Sequence, residues 1–150
     1  MNSLADSLYY IKYNPFKYSE FLASFYFELD GVSNNLLLTH LVIPLCCHPF
    51  FSRKLSNANS KSTIWTIFDD RREFYDLQER FDSFKDLTSQ SLQYCLVNDW
   101  LELNMDKLTV NPVISRKMPF IKQKSAANLG KLFSNLSIVE IYAFLGVMPE

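Results

Sequence analysis

Both histidines of the chain and two of its three cysteines (His40, Cys46, Cys47, His48) fall within nine residues of the apolar run LLLTHLVIPLCCHPF, Leu36 to Phe50. Thiolates and imidazoles ligate zinc and serve redox and nucleophilic chemistry, so their spacing is the first thing to test. On a helix, side chains three or four residues apart are neighbours. His40 and Cys47 stand about two turns apart, roughly 10 Å along the axis, which is too far for one zinc ion bound within about 2 Å of each. Cys46, Cys47 and His48 are consecutive and point about 100° apart. A Cys46–Cys47 disulfide would close a strained vicinal ring. The stretch therefore reads as packing: a free cysteine behaves as a small hydrophobe, and His40 as a buried or half-buried imidazole whose N–H meets a carbonyl or hydroxyl. No metal ligand set and no cofactor is expected.

Other chemistry finds little support. Neither GxxxxGK[ST] nor GxGxxG occurs, and three scattered glycines could not build a phosphate-cradling loop. No GxSxG elbow is present, and neither histidine stands near a plausible nucleophile. The carboxylates Asp69, Asp70, Glu73 and Asp76 could in principle hold a hydrolytic metal. They are interleaved with Arg71, Arg72 and Arg80, and that pattern reads better as a solvated face. No catalytic residue is expected, and the chain is read as non-enzymatic.

Elements that would position such residues follow from composition and punctuation. The 150 residues are 48% hydrophobic and 15% aromatic, with 13 Phe and 8 Tyr but 3 Gly, which favours a mainly α fold in one compact domain spanning 1–150. A net charge of −1 argues against a surface that grips nucleic acid all round. Three cysteines form no even framework, Met1 to Tyr13 does not read as a secretory leader, and the apolar run Leu41 to Cys47 contains Pro44 and is too short to span a bilayer. Cytoplasmic localisation without a membrane segment is the expectation.

Along the chain, Asn14-Pro15 reads as N-cap and first turn of a helix to about Asp30, stopped by Gly31 as its C′ residue. Asn34 or Asn35 should cap a central core helix, kinked at Pro44 and ended by His48-Pro49. Ser52 to Ser62 reads as loop. A long helix is expected from Ser60 or Ser62 to about Lys85, with Ile64, Phe68, Tyr75, Phe81 and Phe84 inside. Thr88 or Ser89 should cap a short helix carrying Leu92, Cys95 and Leu96. Trp100 to Leu103 and Leu108 to Val110 then read as a hairpin turning at Asn104-Met105-Asp106. Helix plus hairpin over about Thr88–Val110 is a winged-helix-like order. A helix from about Phe120 to Ser134 and a last one, Ile138 to Leu145, capped by Ser137 and closed by Gly146, complete the chain.

Two segments could meet partners. No Asp or Glu occurs between Asp106 and Glu140, and Arg116, Lys117, Lys122 and Lys124 cluster there around Phe120. They can touch phosphates nonspecifically or face an acidic protein, or remain merely solvated. A winged-helix DNA-binding regulator is the alternative this raises. Against it, Ser89 to Asn98 contains no Lys or Arg to read base edges. The second candidate is Phe133 with Ile138, Tyr142 and Leu145, which either dock a partner or complete the chain's own core.

Several pieces in order, YNPF (Tyr13 to Phe16), NNLLLTHLVIPLCCHP (Asn34 to Pro49), LTSQSLQYCLVNDWLEL (Leu87 to Leu103) and AANLGKLFSNLSIVEIYAFLGVMP (Ala126 to Pro149), resemble the middle component of bacterial three-component ABC systems. Leu132 stands where a bulkier aromatic is common in that family. The small subunit of Lamassu-type systems is similar. The resemblance implies an adaptor between an SMC/Rad50-like ABC ATPase and an effector such as a nuclease, in defence against phage or plasmid DNA. That family carries no catalytic motif to transfer.

Overall fold

The structure, a computed structural model, describes residues 14–148. Met1 to Tyr13, read above as carrying no leader, and Pro149 of the closing motif lie outside the described residues. Among the described residues eight α-helices run in chain order: α1 Pro15–Glu28, α2 Thr39–Cys46, α3 Phe51–Ser56, α4 Ile64–Ile67, α5 Leu77–Ser83, α6 Lys85–Val97, α7 Lys124–Phe133 and α8 Ile138–Leu145. Short 3-10 turns span Asn35–Leu38 and Arg71–Phe74, and β1 Leu101–Asn104 pairs antiparallel with β2 Thr109–Pro112 between α6 and α7. The fold is mainly α with one small two-stranded sheet, as composition suggested.

Helix α1 starts as its sequence dictates. The Asn14 side chain accepts the Phe16 amide at 2.9 Å, and Pro15 sits in the first turn, where its missing N–H would have been unpaired anyway. Tyr18, Leu22 and Phe25 all turn inward, and Ser19, Ala23 and Tyr26 are buried as well, so α1 is enclosed from two sides, chiefly by α7 and α6. Its end differs from expectation: Leu29 is already extended, and Gly31, at φ +68°, lies beyond the cap rather than forming it.

The α1–α7 seam is a close backbone approach. A Cβ added to Gly130 would stand 2.5 Å from the Phe25 carbonyl oxygen, so only glycine lets the two backbones approach this closely. Ala126 and Ala127 are buried on the same helix, and Phe133 meets Phe25 edge to face at 6.1 Å. The chain reaches α7 fastened to α1. The Ile121 amide donates to Glu20 at 2.7 Å and the Gln123 amide to the Ser24 hydroxyl at 2.8 Å. These extended attachments explain why the helix begins at Lys124 instead of Phe120, leaving Ile121 exposed.

Helix α2 is the apolar centre: Leu41, Val42, Ile43, Pro44, Leu45 and Cys46 are all buried. Asn34 and Asn35 do not cap it through their side chains. Asn35 instead clasps the hairpin, accepting the Val110 amide at 2.7 Å and donating to the Val110 carbonyl at 3.1 Å. Leu36 donates to the Leu108 carbonyl at 3.0 Å. Thus the hairpin after α6 lies in the expected place and is pinned to the turn before α2. The Tyr26 hydroxyl finds the Asn35 carbonyl at 2.9 Å and Thr39 Oγ1 at 2.7 Å, which satisfies a buried polar group.

The long helix expected over Ser60–Lys85 is broken into α4, a 3-10 turn and α5. Thr63, not Ser60 or Ser62, begins α4 in a capping box with Thr66, and the Asp70 side chain caps the next turn at the Arg72 amide. Phe68 and Phe74 are six residues apart, about 240° around a continuous helix. The breaks bring both rings onto Phe51, at 4.9 and 5.6 Å, and put Tyr75 outside at 86% exposure. The expected loop at Ser52 is helical too, because Phe51 and Leu55 bury one turn apart on α3. Likewise α6 begins at Lys85, so Thr88 lies inside it and does not cap it. Helix α8 conforms: Ser137 accepts the Glu140 amide, and Gly146 closes it at φ +69°. The buried side chains form one contiguous cluster. No helix among the described residues is long and apolar enough to cross a membrane.

Candidate functional site

The Cys/His run resolves into packing and helix initiation. Cys46 is fully buried and its thiol is pushed well above its usual range by desolvation, while burial raises the partly buried Cys47 to about 11. Cys95 is buried against the Ser19 carbonyl at 3.3 Å and raised to about 12. Thiolate, the reactive form, is disfavoured at all three. His48 turns its ring back on the chain. Its Nδ1 accepts the amides of Phe50 at 3.0 Å and Phe51 at 3.2 Å, taking up donors at the start of α3. Burial lowers the His48 pKa, with Arg80 adding and Asp76 and Glu73 opposing. Among the described residues no three His, Cys, Asp or Glu side chains converge as a metal site.

His40 departs from expectation. It is half-buried, but its Nδ1 is buried without the carbonyl or hydroxyl partner foreseen for it. It lines a cleft of about 500 Å³ together with Leu37, Phe81, Lys85, Thr88 and Tyr142. The Thr88 hydroxyl, fully buried, also lacks a partner. Desolvation first, and the nearby Lys85 charge second, hold His40 below its usual pKa.

Two carboxylates of the charged run, Asp69 and Asp70, are engaged with cations, whereas Asp76 Oδ1 is buried without a hydrogen-bond partner. Asp69 meets Lys54 Nζ at 2.5 Å, and Asp70 takes both the Arg72 Nε and Nη2 at 3.0 Å. Those hydrogen bonds lower both carboxyl pKa values. In the basic segment, Arg116, Lys117 and Lys124 are exposed, whereas Lys122 pairs with Glu28 of α1 at 3.2 Å.

The four apolar residues proposed for docking do not form an exposed surface. Phe133, Tyr142 and Leu145 are buried, Ile138 packs against the core, and Tyr142 donates to the Leu37 carbonyl at 2.5 Å. Ile138, Ile141, Tyr142 and Leu145 follow the period of one helical face, and one amphipathic helix needs that face to hold itself down. An outward apolar surface is made instead by neighbours of these residues. Trp65 is 64% exposed and meets Phe144 edge on at 5.8 Å. Arg71 lies over Phe74 and Phe144, at 4.2 and 5.2 Å, and donates to the Phe144 carbonyl at 3.0 Å. Val139 is 78% exposed on the same helix. One signal was available: of the eight residues IVEIYAFL only Glu140 is charged, more apolar surface than one buried face requires.

Beside Trp65 runs a groove of about 450 Å³ whose walls include Ala58, Ile64, Leu132 and Leu136, and whose one charged lining residue is Lys131. The loop forming its rim is internally tied: Asn59 accepts the Lys61 amide at 2.9 Å, and Ser62 accepts the Asn59 amide at 3.0 Å. Aromatic and arginine side chains held in fixed positions, rather than reactive groups, are what this side offers, and such residues dominate protein interfaces energetically.

No curated protein matches the chain, and no solved structure does. The sequence matches the family model of the ABC-three component (ABC-3C) system Middle Component 3 across residues 2–149, which covers every element described above. The chain therefore belongs to the Middle Component 3 family of ABC-three component systems.

Proposed function

We propose that the chain is a non-enzymatic adaptor that bridges an SMC/Rad50-like ABC ATPase and an effector such as a nuclease, in a cytoplasmic complex defending against phage or plasmid DNA. The observation that carries this reading is membership, over residues 2–149, in a family defined as one component of a multi-component ABC system. A component placed between others works through surfaces, and the exposed Trp65 and Arg71, with the half-buried Phe144 between them, give it one. The thiols, held protonated by burial, are consistent with a role that needs no nucleophile.

Co-expression of the three subunits with a tag on this chain tests the reading. Both the ATPase and the effector should copurify with it, and removing this chain should separate the two. An ATPase–effector pair that assembles fully without it, or catalytic turnover by the purified chain alone, would end the adaptor reading.

A further inference from the structure

The groove beside Trp65 has features that its place in the chain's own core does not explain. Trp65 stands on α4 with most of its indole in solvent, although burying a large aromatic is among the strongest apolar gains available. Its position is nonetheless fixed, by the Thr63–Thr66 capping box beneath it and by Phe144 against its ring. Leu132 and Leu136 are only half-buried next to it. A pre-positioned aromatic beside half-open aliphatic walls loses little freedom when something binds.

The charge around it selects the occupant. Lys131 is the one charged residue lining the groove, and it lies within the stretch between Asp106 and Glu140 that contains no acid. No carboxylate lines the groove to oppose an acidic group arriving there. Nucleic acid fits less well, because strand-binding grooves carry a row of cations and successive stacking rings, and this one offers a single cation and a single ring. We infer that the groove docks a segment of a protein partner bearing an apolar anchor next to an acidic residue: the anchor packs between Trp65 and Leu132/Leu136, and the carboxylate pairs with Lys131. This rests on the adaptor reading and assigns it a place on the molecule.

The test uses the full chain with the purified ATPase and effector subunits of its own system. Trp65→Ala, Lys131→Glu and, as a control on an exposed aromatic elsewhere, Tyr75→Ala are compared by titration, with circular dichroism confirming that each is folded. Trp65→Ala should weaken binding to one of the two subunits about thirtyfold, as a central interface aromatic does. Lys131→Glu should weaken it about tenfold and remove much of its salt dependence. Tyr75→Ala should leave it unchanged. Binding within twofold of wild type for both groove variants overturns the groove and leaves the adaptor reading intact, whereas failure of the wild-type chain to bind either subunit removes both. Trp65-dependent binding of an oligothymidine strand, or Trp65-dependent self-association without an effect on subunit binding, also overturns the inference.

Discussion

Helix α1 meets α7 with only Gly130 between the backbones, whereas α2 faces α5 and α6 across a cleft of about 500 Å³. Both contacts belong to the same core, yet they are built from opposite materials. The seam lets the backbones touch at Gly130, with the small Ala126 and Ala127 buried on the same helix and the Phe25–Phe133 ring pair alongside. Large side chains such as Phe81 and Tyr142 line the cleft and hold its walls apart. Polar atoms follow suit. Beside the seam, Ser24 accepts the Gln123 amide, while at the cleft His40 Nδ1 and the Thr88 hydroxyl have no partner, and the buried Ser91 hydroxyl on α6 has none either.

The strongest way to break this contrast is Gly130→Ala. Alanine gains about 1 kcal/mol of helix propensity, but its Cβ would press on the Phe25 carbonyl, and overpacking against backbone costs about 3 kcal/mol. A net loss of about 2 kcal/mol is expected in urea unfolding, with an unchanged denaturant slope. An alanine variant as stable as wild type would mean that the helices can separate freely.

Histidine gives the next largest effect. Burial first, and the Arg80 charge second, hold the folded pKa of His48 below the ordinary 6.5, and the unprotonated Nδ1 this leaves holds two amides. The unfolded chain therefore takes up the proton first. Stability from this group is complete above about pH 6.5 and is lost as pH falls toward the depressed folded value. His48→Ala should cost about 1 kcal/mol at neutral pH through loss of the cap. His48→Asn, which can still accept an amide but does not titrate, should lose less and flatten the stability–pH profile between about 7 and 5. His40, also depressed, supplies the slope that remains. An unchanged profile in His48→Asn would show that the ring is not the acid-sensitive group.

How far the sequence carries is visible in these same residues. Three caps were legible, since Asn14, Ser137 and Gly146 act locally, through a few bonds to their own helix. By contrast, Gly31, Asn34 or Asn35, Ser60 or Ser62, and Thr88 or Ser89 do not cap the helices expected of them. The burial of α2 was legible as well, because a run apolar on every side has no solvent face to offer. The breaks between Ile64 and Lys85 were not, because Phe68 and Phe74 are drawn to Phe51, a target that only tertiary packing supplies. Nor does anything near Asn35 or Gly130 in sequence announce their distant partners, Val110 and Phe25. The candidate surface was half legible. The surplus apolarity of α8 pointed to it, but the periodic residues chosen were those the core claims, and Trp65 was hidden in a helix assumed to be continuous.

A smaller effect, of opposite sign, sharpens the open side of the contrast. Thr88→Val keeps the side-chain shape and removes a buried hydroxyl with no partner. Leaving such a group unpaired costs about 1–3 kcal/mol, so the valine variant should be more stable by about 1 kcal/mol in urea midpoint. A destabilised variant would show that the hydroxyl is satisfied in solution, and the cleft would then be as well matched as the seam.

The smallest expected change comes from the far side of α7. Gly130 closes that helix against α1, while Lys131, one residue on, is exposed at the groove. If packing alone had shaped α7, both positions would be constrained. If its outer side is kept open for a partner, Lys131→Glu should alter stability by less than about 0.5 kcal/mol, because an exposed substitution breaks no buried contact. The same change puts an acid where an acidic partner is meant to sit. Stability near wild type together with weakened subunit binding is the outcome that separates a surface held for a partner from one that merely faces water; a large loss of stability would place Lys131 with the seam.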